Sequence, residues 1–328
     1  MMRRRDVMAG GLAALSGMVA GRSARAQAVT LTHEVRLIAP VAPGGTIDAV
    51  ARLVAQGLGP SLGQPIVVEN RSGGAFFIGL QVVANAAPDG HTLGIAPIAT
   101  LATAPILPGM VPPIDPDTQL QPVVGLFRVP LVLVAGTHTP HRDLPGLLRF
   151  ARANPGRVSI GHSGNGTTTH LVAARLEREA EIEMVQVAYR SGAPALTDLM
   201  GGNVDLYFAL LPEVLGFIRD GRMRALAVAA EQPNRHLPDV ATVAQELPGF
   251  SGAASYGIVA PERMPAEWVA FWNRTLVEFM NRPEVRDRME KTMFLEITAG
   301  PTERMRQEVA ADRITWGKVI REAGIRAD

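Results

Sequence analysis

Two short glycine-rich segments hold most of the chemistry this chain advertises. The first reads Ala42-Pro43-Gly44-Gly45-Thr46-Ile47-Asp48, the second Gly161-His162-Ser163-Gly164-Asn165-Gly166-Thr167-Thr168. Each follows an apolar β-type run and precedes a helical pattern. A strand–loop–helix junction leaves the backbone N–H groups of the first helical turn unpaired, beside the positive end of the helix. The hydroxyls of Thr46, Ser163, Thr167 and Thr168 add donors. One such loop alone is also what a tight, capped turn looks like, with Thr46 as the cap. Two of them, far apart in the chain, read as a facing pair of anion clamps.

Sharper chemistry fails on spacing. Gly161-His162-Ser163-Gly164-Asn165 comes near the G-x-S-x-G nucleophile elbow, but its fifth position is Asn165. His170 lies close by in sequence, whereas hydrolase triads draw their histidine from a distant segment. No lysine follows Gly166, so the loop is not a P-loop. His138 and His141 flank Pro140 without a nearby carboxylate pair and read as solvated loop histidines rather than metal ligands. Carboxylates are scattered, and none pair as a general acid and base. Asp48 falls in a first helical turn, where a negative charge gains about 0.3–1 kcal/mol, and it can also brace the Gly44–Gly45 loop. Asp205 is either a paired, partly buried strand residue or a reader of a cationic group on a ligand. The chain has no cysteine, which excludes disulfides and thiolate chemistry. No cofactor is implied.

The elements that must position these loops alternate. Strands are expected at 35–39, 66–69, 92–96, 131–135, 158–161, 184–188, 204–208, 224–229 and 256–260. Helices are expected at 47–58, 144–153, 168–179 and 193–200. This order implies an α/β protein with mostly parallel sheets flanked by helices. Three helices close the chain, at 266–280, 284–291 and 302–322, with Pro265, Pro283 and Pro301 at their starts. Proline and glycine clusters at 105–122 and 233–252 break the chain twice. Two lobes with two crossings follow: residues 27–128 plus 253–328 in one, 129–252 in the other.

The length of 328 residues suits two such lobes. Apolar residues at 47% and charged ones at 19% support a sizeable core. The N-terminus carries Arg3, Arg4 and Arg5, then a mostly apolar or small stretch from Val7 to Ala20, then Ala24-Arg25-Ala26. This is the pattern of a secretory signal peptide over residues 1–26, and its apolar stretch is shorter than the roughly 20 residues a membrane helix needs. Arg4-Arg5-Asp6-Val7-Met8 also fits the twin-arginine export pattern. Without that segment, 27 basic residues face 30 acidic ones. A chain so balanced, with 5% aromatics, offers neither a basic surface nor a stacking platform for nucleic acid. A monomer in the periplasm is expected.

Several segments together resemble signatures of the Bug family, the solute-binding proteins of tripartite tricarboxylate transporters. They are Leu37–Asp48, Val68-Glu69-Asn70-Arg71, Ala87-Pro88-Asp89-Gly90-His91-Thr92-Leu93 and Gly161–Gly166. Tyr189–Ala195, Gly201–Asp205, Leu237–Val240 and Trp316–Ile320 follow in the right order. The resemblance implies a two-lobe type II periplasmic-binding-protein fold that closes on a small carboxylate, and membrane transporter subunits as partners. A ligand-presenting partner for a membrane sensor kinase is the alternative role. The resemblance makes the two glycine loops the pincers, so the expected ligand-binding residues are Ala42, Pro43, Gly44, Gly45, Thr46, Asp48, Ser163, Gly164, Asn165, Thr167 and Thr168, with Asp205. One departure stands out: Phe76 and Phe77 replace small residues. Adjacent helical residues point about 100° apart, so one ring can face the cleft while the other enters the core. Phe77 is the expected cleft residue, favouring a mono- or dicarboxylate with an apolar body.

Overall fold

The expected alternation is present in the computed structural model, which describes residues 29–327. The export segment expected at 1–26 lies outside the described residues. The strands are β1 (Val35–Ala39), β2 (Ile66–Asn70), β3 (Thr92–Pro97), β4 (Leu120–Gly136) and β5 (Ser159–His162). They continue with β6 (Val185–Ala188), β7 (Leu206–Leu210), β8 (Met223–Val228), β9 (Ala253–Pro261) and β10 (Glu296–Ile297). The helices are α1 (Thr46–Leu62), α2 (Phe77–Ala84), α3 (Ile98–Thr103), α4 (Pro116–Gln119), α5 (Leu144–Ala153) and α6 (Thr168–Ala180). After them come α7 (Gly192–Gly201), α8 (Leu211–Arg219), α9 (Ala266–Met280), α10 (Pro283–Asp287) and α11 (Thr302–Glu322).

Local chemistry explains the boundaries. Asp143 caps α5 by accepting the Gly146 N–H at 2.7 Å. α1 stops at Gly63, which adopts the left-handed conformation a helix end favours. β3 is buried along its whole length, as an internal strand covered on both faces must be.

The strands form one hydrogen-bonded path, β2-β1-β3-β9-β4-β7-β5-β6, with β8 and β10 also on β4. β1 pairs in parallel with β2 and β3, and β5 with β6 and β7. Every antiparallel pair involves β4 or β9. β4 is 17 residues long and serves two sheets. Its first part, to Pro130, pairs with β9; from Leu131 it pairs with β7 and from Val132 with β8. The first expected break is therefore partly strand. Pro122 sits where the β4–β9 register shifts, and Pro130 where β4 changes partners, the places a sheet tolerates proline. The chain returns at Gly252, whose N–H donates to Ala229 O at 2.8 Å and whose carbonyl accepts from Leu131 N at 3.3 Å. From Leu31 onward the described chain is one compact unit, because β4 carries pairing through both sheets.

Candidate functional site

The first glycine loop joins β1 to α1. Gly44, at φ +94°, turns its N–H onto the buried Asp48 carboxylate at 2.9 Å. Arg52 Nε donates to the same carboxylate at 3.0 Å and Asn70 Nδ2, at the end of β2, at 2.9 Å. Burial alone would push the Asp48 carboxyl up; these donors outweigh it and hold it below its ordinary value. Asp48 thus braces the loop rather than facing the cavity.

The second loop joins β5 to α6. Gly164 and Gly166, at φ +119° and +76°, bend it so that the hydroxyls converge. Ser163 N–H donates to Thr169 Oγ1 at 2.9 Å, and Ser163 Oγ and Thr167 Oγ1 lie 2.9 and 3.1 Å from that same oxygen. The Tyr207 hydroxyl, on β7, shares hydrogen bonds with Ser163 and Thr169. Beneath the loop, His170 Nδ1 accepts the Gly166 N–H at 3.0 Å, and its ring stacks on His162 with centroids 4.3 Å apart. Burial pushes His162 down to about 4 and His170 to about 3, the neighbouring His162 adding to the second shift. Both are neutral props of the loop.

The two loops meet at a cavity between the sheets. An inner pocket of about 60 Å³ is lined by Ser163, Thr167, Thr168 and Thr169 on one side and Val41, Ile47, Phe76 and Tyr256 on the other. An outer pocket of about 300 Å³ is lined by Ala42, Pro43, Gly44, Gly45 and Thr46 and by Ser191 to Ala193 at the start of α7. Val41, Ile47, Ser191, Gly192 and Glu213 border both. The N-termini of α1, α6 and α7 therefore point at one space, a setting that favours negative charge, be it the Glu213 carboxyl beside α1 and α7 or an anion at α6. A larger groove of about 880 Å³ crosses the β4–β9 region. No helix start among its lining residues faces it, and Arg128 and Arg175 there are paired with Glu308 and Glu179. Volume alone does not make it the site.

Sequence reasoning missed Glu213, in the first turn of α8. Its carboxyl lies deep in the protein yet keeps a face on the cavity, so its residue exposure is intermediate. Burial raises it from 4.5 to about 7, although both the backbone N–H and the hydroxyl of Thr46 bond to it. The hydroxyl lies 3.5 Å from Oε1. The available signal was the strand expected at 204–208 running into Leu211-Pro212-Glu213, a strand–helix junction without glycine.

Other expectations are corrected. Phe77 is 1% exposed and belongs to the core; Phe76, held at φ +79° just before α2, is the ring that lines the cavity. Asp205 is not brought to the cavity. Its carboxylate accepts the Ser159 N–H and hydroxyl, both at 2.8 Å, and contacts His138, tying β5 to the segment entering β7. Gly164 and Asn165 line neither pocket, and Asn165 Nδ2 donates to Ala327 O at 2.7 Å. His33, Asp89 and His91 cluster closely enough for a metal ion. They do not suit one, because His91 Nε2 accepts the Thr32 N–H and Nδ1 bonds to Asp89 O.

A two-sheet α/β body whose helix N-termini face a cavity lined in part by hydroxyls is that of a solute-binding protein of the periplasmic-binding-protein fold. Solved structures of that class superpose on it closely. Rpa4515 of R. palustris, solved with adipate, gives a TM-score of 0.85 at 31% identity, covering 90% of this chain and 98% of its own. The periplasmic binding protein BugD gives 0.83 at 28%, covering 90% and 99%. MatC (Rpa3494) of Rhodopseudomonas palustris, with bound malate, gives 0.79 at 29%, covering 88% and 99%. Residues 50–325 match the model of the tripartite tricarboxylate transporter family receptor, and the chain belongs to that family.

Proposed function

We propose that this chain is exported, loses residues 1–26, and as a periplasmic monomer captures a small carboxylate for delivery to the membrane subunits of a tripartite transporter. It does so without a cofactor and without catalysis. Its lobes are residues 27–128 with 253–328, and residues 129–252; they close about the shared strand β4. The observation that carries the reading is the convergence of three helix N-termini and a cluster of hydroxyls on one cavity between the sheets. The adipate and malate held by related structures support the ligand class. Thr103 Oγ1 to Gly166 O at 3.2 Å and Asn165 Nδ2 to Ala327 O are contacts that span the two proposed lobes.

The test is a thermal-shift screen of ligand-stripped protein with carboxylic acids, amines and neutral sugars. A ligand that binds only the folded state must raise its melting temperature. Carboxylates should raise it, and in calorimetry Ser163→Ala should weaken the best of them by about tenfold or more, the scale of one hydrogen bond to a charged group. Thr137→Ala, outside both loops, should change little. No stabilisation by any carboxylate overturns the proposal.

A further inference from the structure

We infer that Glu213 sets the ligand class within this cavity: it reserves one end for a hydrogen-bond donor, so the preferred ligand carries one carboxylate and a hydroxyl or ammonium group rather than two carboxylates. The inference rests on the carboxylate-capture reading and narrows it.

Three observations carry it. First, the donors of Thr46 in the first pincer already face an acid, since Thr46 N–H and Oγ1 both bond to the Glu213 carboxyl. Second, that carboxyl fills the gap between two helix starts. A Cβ built on Gly45 would lie 3.7 Å from Glu213 Oε1, and one on Gly192 would lie 3.4 Å from Oε2. The N-termini of α1 and α7 are thus served by the protein's own anion, the arrangement helix ends favour. Third, among the described residues neither pocket is lined by lysine, arginine or histidine, and Glu213 is the acid that lines both.

A ligand carboxylate has a different place to go. Ser163, Thr167, Thr169 and Tyr207 gather their hydroxyls at the start of α6, away from Thr46. A second ligand carboxylate reaching the Glu213 end would meet a like charge in a site of low polarity, and one of the two would have to take up a proton. A hydroxyl or ammonium there donates to Glu213 instead. Burial lifts Glu213 to about 7, so its ionised form gains from any further donor placed beside it. Val41, Ile47, Phe76 and Tyr256 supply apolar walls for the chain between the two ends.

The experiment uses two matched series on ligand-stripped protein: butyrate, 4-hydroxybutyrate, 4-aminobutyrate and succinate, and their six-carbon counterparts ending in adipate. Affinities are measured by calorimetry at about pH 8, where the Glu213 carboxyl is mostly ionised, for wild type, Glu213→Gln and Ser163→Ala. In wild type the hydroxy or amino acid of the better-fitting series should bind at least tenfold more tightly than the diacid. Glu213→Gln should narrow that ratio at least tenfold, and Ser163→Ala should weaken every member together. A wild type that binds the diacid as tightly as its donor-bearing partner overturns the inference, as does an unchanged ratio in Glu213→Gln; the capture reading then stands. If no acid binds any form, the capture reading itself falls.

Discussion

Removing the charge of Glu213 should stabilise the ligand-free protein, and by an amount that depends on pH in one direction only. Its carboxyl is moved from 4.5 in the unfolded chain to about 7 in the folded one. The folded state therefore holds more protons between those values, so wild-type stability falls as pH rises through the interval. Fully ionising the group costs on the order of 3 kcal/mol. Glutamine keeps a carbonyl for the Thr46 donors and does not titrate. In urea unfolding at about pH 8.5, Glu213→Gln should exceed wild type by roughly 2–3 kcal/mol, and at about pH 4 the two should nearly coincide. His162 and His170 titrate with the opposite sign. Their contribution is full above their ordinary 6.5 and is lost as pH falls toward about 4 and about 3. Both proteins share it, so it cancels in the difference. Tyr207 and Tyr256, which face Glu213, are raised by burial and remain neutral throughout. A gap that is constant with pH, or that widens toward acid, refutes the reasoning.

The two adjacent phenylalanines should separate cleanly. Phe77→Ala should cost about 3–5 kcal/mol in urea unfolding because the ring is buried core, while Phe76→Ala should cost far less and instead alter which acids raise the melting temperature. His170→Phe keeps a ring to stack on His162 but removes the acceptor of the Gly166 N–H. Calorimetry should show ligand affinity falling by about tenfold with a smaller change in stability; unchanged affinity would mean that the loop holds its shape without that bond.

Much of this architecture was legible because its signals are local. β1, α5, α9 and α11 have the boundaries that apolar periodicity, caps and prolines announce. Both glycine loops were visible as turns between a strand and a helix. The failures have physical causes. β4 was read only in its second half because Pro122 and Pro130 look like breaks, and nothing in a single sequence says that a register shift and a change of partner will absorb them. Of the two roles open to Asp205 the paired, partly buried one is present, and the ligand-reading one could have been set aside: ligands gather at the carboxyl ends of parallel strands, and Asp205 precedes β7. Which phenylalanine faces the cavity turned on the left-handed backbone at Phe76, which no propensity favours in an aromatic residue. Glu213 escaped because an acid is an unexpected lining for a proposed anion site, and because its hydrogen-bond partner in space, Thr46, lies 167 residues away.

The strand order has a consequence for how this chain is made. β3 has β1 on one side and β9 on the other, and β9 lies more than 150 residues downstream. While the ribosome is still producing everything between them, the completed β1–β2–β3 unit presents the bare edge of β3, a template for wrong pairing. β4 cannot shield it, because in the finished sheet β9 stands between the two. Assembly of the first sheet must wait for Ala253–Pro261 to emerge, and folding before then is confined to pieces with an open flank. The C-terminal quarter of the chain is thus the part whose arrival closes the sheet begun by the N-terminal quarter.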